Sequence, residues 1–250
     1  MPRYFLEVAY KGTNYSGFQV QENANSIQAE VENALHLFFR NSIELTGSSR
    51  TDTGVHALQN FFHFDYDKSI ERKFLYNINS ILPADIVVKN IYEVNETDNC
   101  RFAAISREYH YTIYDSKNPF LQEFGWFYPY QMNIELLHEA AKVLLEYQNF
   151  QSFSKRNTQV TNFNCQLLES YWTIEQDRIV YHVKGNRFLR GMVRGLVGTM
   201  VRVGRGLISI EQFHQIIQSQ DCKQADFTTP AQGLFLVQVN YPAGLLLKKL

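Results

Sequence analysis

Within Leu45–Asn60, LTGSSRTDTGVHALQN, a run of Gly, Ser and Thr encloses Arg50 and Asp52, with His56 four residues further on. Two kinds of chemistry suit an aspartate there. It can close a turn, accepting hydrogen bonds from the amides that follow while Gly54 takes a positive φ. It can also act on a substrate as a nucleophile or base carried on a loop beside a cation. Asp52-Thr53-Gly54 also spells the aspartic-protease triplet, but those enzymes need two such carboxylates. The chain has no second Asp-Thr-Gly or Asp-Ser-Gly, and Arg50 is a poor neighbour for a motif normally flanked by apolar strand residues. That reading is set aside. His56 has no second loop histidine to form a relay with, and reads as a structural hydrogen bonder.

A second constellation lies in residues 184–205, KGNRFLRGMVRGLVGTMVRVGR, where Lys184, Arg187, Arg190, Arg194, Arg202 and Arg205 occur without an acid. Leu189, Met192, Val193, Leu196, Val197 and Met200 recur at helical spacing, which predicts a helix over 187–203 with this stripe in the core. On such a helix Arg187, Arg190 and Arg194 fall at i, i+3 and i+7 and line one side. That row is either a solvated face or a track for phosphates. In RFAAISREYHYTIY, Arg101–Tyr114, the alternation puts Tyr109 and Tyr111 on one strand face and His110 on the other. Two such tyrosines pack a sheet, or offer a surface on which unpaired bases stack.

The elements that must position these groups follow from periodicity and punctuation. Strands are predicted at Arg3–Tyr10, Ile43–Ser48, Asn60–Tyr66 and Ile86–Val94. A helix over Ile27–Arg40, capped by Asn25 or Ser26, turns Ile27, Val31, Ala34, Leu35 and Phe38 inward, and a shorter one over Phe74–Ile81 ends before Pro83. The second half repeats the order with a strand at Arg107–Tyr114 and a helix at Asn133–Tyr147. A hairpin of Gln166–Glu175 and Arg178–Lys184 follows the helix. After the basic helix come a helix opened by a Ser209/Gln212 capping box, a strand at Leu234–Tyr241 and a tail, PAGLLLKKL. Strand–helix–strand–strand thus occurs twice, which predicts an α+β protein. Two similar α/β halves, 1–105 and 106–250, would form one extended, mostly antiparallel sheet flanked by helices and a single catalytic unit.

The chain's 250 residues are 45% hydrophobic and 20% charged, with a formal net charge of −1. That is globular composition, and no apolar run reaches the ~18 residues of a membrane span. MPRYFLEVAY reads as a strand rather than an export signal. Cys100, Cys165 and Cys222 are odd in number and unpaired in spacing, so neither a disulfide frame nor a zinc site is expected. A reducing cytoplasm fits. The near-neutral total argues against a nucleic-acid partner, whereas the segregation of the basic residues argues for one.

Several segments together resemble the tRNA pseudouridine synthase A family: SRTDTGVHA (Ser49–Ala57), REYHY, FLRGMVRGLVG (Phe188–Gly198) and PAQGLFL (Pro230–Leu236), with YKGTNYSGFQVQ and LPADIVV. The likeness runs from about residue 3 to 242. Departures include Ser49 for a Gly, Lys11 and Phe18 for Asp and Trp, Gly195 for Asn, and the loop Lys155–Gln166. The resemblance implies the pseudouridine synthase fold with a central RNA-binding cleft. It implies isomerisation of uridine to pseudouridine at positions 38, 39 and 40 of the tRNA anticodon stem-loop, without cofactor or metal, by a cytoplasmic homodimer. Asp52 would be the nucleophile, Arg194 its partner, and Tyr109 the ring packed on the target base. Arg50 would hold the flipped nucleotide, Leu234 would wall the uracil pocket, and Arg187 and Arg190 would grip phosphates. A non-catalytic RNA-binding module is the alternative, in which Asp52 is dispensable.

Overall fold

The computed structural model describes residues 1–71, 73–156 and 160–250; the divergent loop Lys155–Gln166 thus lies partly outside the described residues. The chain divides into two compact units, 1–105 with 235–250, and 106–234. The final strand and tail therefore return to the first unit.

In the first unit, β1 (Arg3–Tyr10) lies between β3 (His56–Asp65) and β4 (Ile86–Val94), antiparallel to both. The short β2 (Thr46–Gly47) pairs with β3, and β9 (Leu234–Asn240) runs parallel to it, setting Phe235 opposite His56 and Leu236 opposite Ala57. The C-terminal tail adds β10 (Lys248–Lys249) to the edge of β4. Two helices accompany the sheet, α1 (Ile27–Phe39) and α2 (Phe74–Ile81). Ser26 caps α1 by accepting from the Ala29 amide at 3.2 Å, and Arg40 closes it in the left-handed region. The core strands are buried on both faces: Tyr4, Phe5, Leu6 and Val8 pack with Phe61, Phe62 and Phe64. Buried among them, Glu7 keeps its charge because Asn90, Gln59 and Tyr92 donate to its carboxylate at 2.6, 3.0 and 3.0 Å. Burial pushes its pKa up, and those three bonds outweigh it.

Two expectations are corrected here. The strand predicted at Asn60–Tyr66 begins at His56, because His56 and Ala57 are buried and paired although the sequence there does not alternate. The strand predicted at Ile43–Ser48 is reduced to Thr46–Gly47.

In the second unit, β5 (Ser106–Tyr114), β8 (Arg178–Gly185) and β7 (Leu167–Glu175) form an antiparallel sheet with β8 in the middle. The short β6 (Trp126–Phe127) joins β5 in parallel. The helices are α3 (Ile134–Val143), α4 (Met192–Gly204) and α5 (Ile210–Gln218). Tyr109, Tyr111, Tyr181, Val183 and Trp172 are buried, as are Leu137, Ala141, Leu196, Met200 and Phe213 from the helices. Asn133 caps α3, which gives way to a 3-10 turn at Leu144–Glu146 instead of running on to Tyr147. The capping box of Ser209 and Gln212 opens α5.

The basic helix is the main correction. It starts at Met192, not Arg187, since Gly191 sits at φ 71° in the left-handed region and ends any helical path before it. Arg187 and Arg190 therefore belong to a loop, and their i, i+3, i+7 row with Arg194 does not form. Among the described residues no helix is long and apolar enough to cross a membrane, and no group of three His, Cys, Asp or Glu is arranged to hold a metal.

Candidate active site

Asp52 stands on a loop whose backbone is fixed from several sides. The Phe18 amide donates to the Thr51 carbonyl at 3.1 Å, and the Val55 amide closes a turn on the Asp52 carbonyl at 3.1 Å. The buried Thr51 hydroxyl shares a 2.8 Å hydrogen bond with the Tyr10 hydroxyl. The fully buried Asn60 amide reaches both the Ser49 carbonyl (2.8 Å) and Tyr10 (3.2 Å). Gly17, at φ 102°, passes so close that a Cβ there would lie 3.0 Å from the Thr51 carbonyl oxygen. The loop is therefore held by main-chain and buried side-chain contacts, and Asp52 itself is half-buried. The turn expected at Asp52 does form, but through its main-chain carbonyl, which accepts from the Val55 amide.

His56 is buried, accepts from the Gly12 amide through Nδ1 at 3.0 Å, and stacks on Phe235 at 4.6 Å. Those contacts fit the structural role read for it. Arg50 is exposed, and its Nη1 donates to Gln19 at 3.2 Å. Two departures from the family pattern have a packing reason. Phe18 stacks on Phe62 at 4.5 Å and fills the space beside Gly47, where a Cβ would meet its ring at 2.2 Å. Gly195 likewise faces Phe227, whose ring would lie 2.8 Å from a Cβ.

In the second unit, Tyr109 is buried on β5 and meets Phe188 edge to face at 5.0 Å. Phe188 sits between Arg187, half-buried, and Arg190, exposed, so the Tyr109 ring and the basic loop are one local assembly. Tyr111, two residues on, donates its hydroxyl to the Pro230 carbonyl at 2.7 Å. Burial raises its pKa well above the usual phenol value, and nearby Arg194 offsets this only in part. Leu234 is buried at the start of β9.

Arg194, in the first turn of α4, is half-buried and held at both ends. Its Nε donates to the Thr229 carbonyl at 2.7 Å, and its own carbonyl accepts from the Thr229 hydroxyl at 2.9 Å. Thr229 went unread in the sequence. Its only signal there was a small hydroxyl residue just ahead of the Pro-Ala-Gln-Gly turn into a strand.

The α+β architecture, with its strands flanked by helices, is consistent with the pseudouridine synthase fold. A family model described as tRNA pseudouridine synthase matches residues 140–242. The tRNA pseudouridine synthase A of Parabacteroides distasonis is 40% identical over 247 residues, 98% of each chain. That of Porphyromonas gingivalis is 40% identical over 252 residues, covering 99% of this chain and all of the relative, and that of Staphylococcus aureus is 33% identical over 249. The chain belongs to the tRNA pseudouridine synthase A family, isomerases that convert uridine to pseudouridine in tRNA.

Proposed function

We propose that this chain isomerises uridine to pseudouridine at positions 38, 39 and 40 of the tRNA anticodon stem-loop, with Asp52 as the nucleophile. The observation that carries the reading is the loop Ser49–Ala57, rigid in its backbone and carrying the half-buried Asp52. In the reaction the N1–C1′ bond of the target breaks and a C5–C1′ bond forms. The proton lost from C5 is balanced by one gained at N1, so nothing is oxidised or hydrolysed. A carboxylate serves this chemistry either by attacking C1′ or by assisting elimination across the sugar.

A carboxylate partly withdrawn from water keeps its charge when a guanidinium offsets the loss of hydration. Arg194 supplies that cation. Tyr109 packs on the target base, and as a phenol of ordinary pKa about 10 it is a poor base at neutral pH. Leu234 lines the uracil pocket. The target uridine must leave its stack, at a cost of a few kcal/mol, and exposed Arg50 holds the flipped nucleotide. Arg187 and Arg190 contact phosphates. With a net charge of −1 per chain, a cytoplasmic homodimer that joins two basic surfaces around one tRNA suits a polyanionic substrate.

The test is to incubate unmodified tRNA with wild type and with Asp52→Asn, then map pseudouridine and measure tRNA binding. Wild type should modify the anticodon arm, and Asp52→Asn should bind tRNA with similar affinity but form no product. Binding without product in both proteins would instead establish a non-catalytic RNA-binding module.

A further inference from the structure

Residues 226–230 form a strap fastened to α4 and β5 by hydrogen bonds, among them the ones that hold Arg194. Thr199 donates to the Gly195 carbonyl at 2.8 Å and accepts from the Asp226 amide at 3.0 Å. Asp226 in turn accepts from the Thr228 amide and hydroxyl at 2.8 and 2.6 Å. Thr229, fully buried, makes the reciprocal pair of bonds with Arg194, and the Pro230 carbonyl takes the Tyr111 hydroxyl. The strap lies against Gly198, where a Cβ would come within 2.4 Å of the Asp226 carbonyl oxygen and 2.5 Å of the Thr229 hydroxyl.

A guanidinium has five N–H donors fixed in one plane. Once Nε is committed to the Thr229 carbonyl, rotation about the last side-chain bonds is blocked, and the two Nη groups are aimed in a direction set by the strap. The Thr229 hydroxyl completes the bracket by tying the same residue to the Arg194 backbone. Side chain and main chain of Arg194 are thus referenced to one buried residue.

We infer that Thr229 is a positioning residue: through its paired bonds to Arg194 it sets the aim of the guanidinium. This rests on Arg194 partnering the nucleophile as proposed above, and the experiment separates the two ideas. Thr229→Val keeps the shape and removes the hydroxyl, Thr229→Ala removes both hydroxyl and bulk, and Thr229→Ser restores the donor. Each is assayed on tRNA for kcat and KM. In parallel the Arg194 Nε–H is followed in ¹⁵N-arginine spectra of the full chain, assigned by its loss in Arg194→Lys.

The expected result is a fall in kcat on the order of tenfold for Thr229→Val and Thr229→Ala, since small misplacements of a reacting group cost about that much or more. KM for tRNA should stay within about twofold, because the strap grips no phosphate. The Nε–H, whose acceptor is the Thr229 main-chain carbonyl that every variant keeps, should exchange faster with solvent as the unpinned strap loosens, and Thr229→Ser should recover both rate and protection. If Thr229→Val keeps the wild-type kcat, the inference fails, whether or not the Nε–H stays protected. If Thr229→Ser folds but recovers neither rate nor protection, the hydroxyl is not the positioning group. Should Arg194→Lys turn over normally while the Nε–H responds to Thr229 as expected, the bracket stands and the reading of Arg194 falls.

Discussion

In the proposed mechanism Arg194 does two jobs with one planar group, and that division of its donors is the reason to expect lysine to be a poor substitute. Nε holds Thr229 at 2.7 Å, and the proposed role assigns the Nη pair to a carboxylate as a fork. A lysine ammonium is a single charge on a flexible stem and would have to choose between the strap and the nucleophile. Arg194→Lys is therefore expected to cut kcat by about a hundredfold while the protein stays folded. A steady-state assay with tRNA, beside a melting curve, checks this; near-wild-type turnover would remove Arg194 from the mechanism. At this scale the sequence was informative where a residue's chemistry is unusual for its place. An acid in a Gly/Ser/Thr loop and an arginine beside an apolar stripe were both visible. The bracing of the loop was not, since Tyr10 and Gly17 lie far from Asp52 in sequence, and Asn60, though in the same stretch, folds back on Ser49 from within a strand.

Among the elements, α4 shows what periodicity can and cannot report. Leu189 is buried and falls in register with Met192 and Val193, so the apolar spacing continues across residues that are not helical. Gly191 at φ 71° was the contrary signal, and a glycine in a Gly-rich segment does not announce its φ. Inside the helix Gly198 has a plainer purpose: it lets the strap lie against the helix backbone. Gly198→Ala would force its Cβ into the Asp226 carbonyl, so the strap must move, at roughly 1–3 kcal/mol, as for other overpacked sites. A melting temperature lowered by several degrees, with kcat lowered alongside, is expected; an unchanged melting temperature would mean the strap is loosely held. The sheet of the second unit carries a different lesson. His110 Nε2 lies 3.0 Å from both Glu108 and His182 Nδ1, and His182 also meets the Thr173 hydroxyl at 2.8 Å. Burial, then His110, holds the His182 pKa below its ordinary value. A histidine depressed in the fold is protonated more readily once unfolded, so its contribution is full above about pH 6.5 and declines as the pH falls through and below that value. Denaturation as a function of pH should show that decline, and His182→Gln should make it shallower. An identical acid limb in the variant would assign the effect elsewhere, for instance to His63, which burial also depresses.

At the scale of the whole molecule, the charge balance sets how tRNA is held. A net charge of −1 leaves no general attraction for a polyanion, so binding must come from where the arginines stand. Arg202 and Arg205 are already engaged, the first on the Gln224 carbonyl at 3.3 Å, the second over the Tyr130 ring at 4.4 Å and on the Tyr128 hydroxyl at 3.2 Å. Arg190 is exposed on the loop beside Phe188, whose ring meets Tyr109, and it is the phosphate contact proposed above that can be tested alone. Each phosphate neutralised releases condensed counterions, so the logarithm of affinity falls linearly with the logarithm of salt, by about 0.7–0.9 per contact. Affinity for tRNA measured across a salt series should fall steeply. Arg190→Ala should lower that slope by about one contact's worth, weakening binding to the same extent whatever the tRNA sequence. It should leave kcat at saturating tRNA close to wild type, since a phosphate grip holds the ground state and the transition state alike. A flat salt response in wild type would count against a phosphate-held complex, and an unchanged slope in Arg190→Ala would move the grip to other cations.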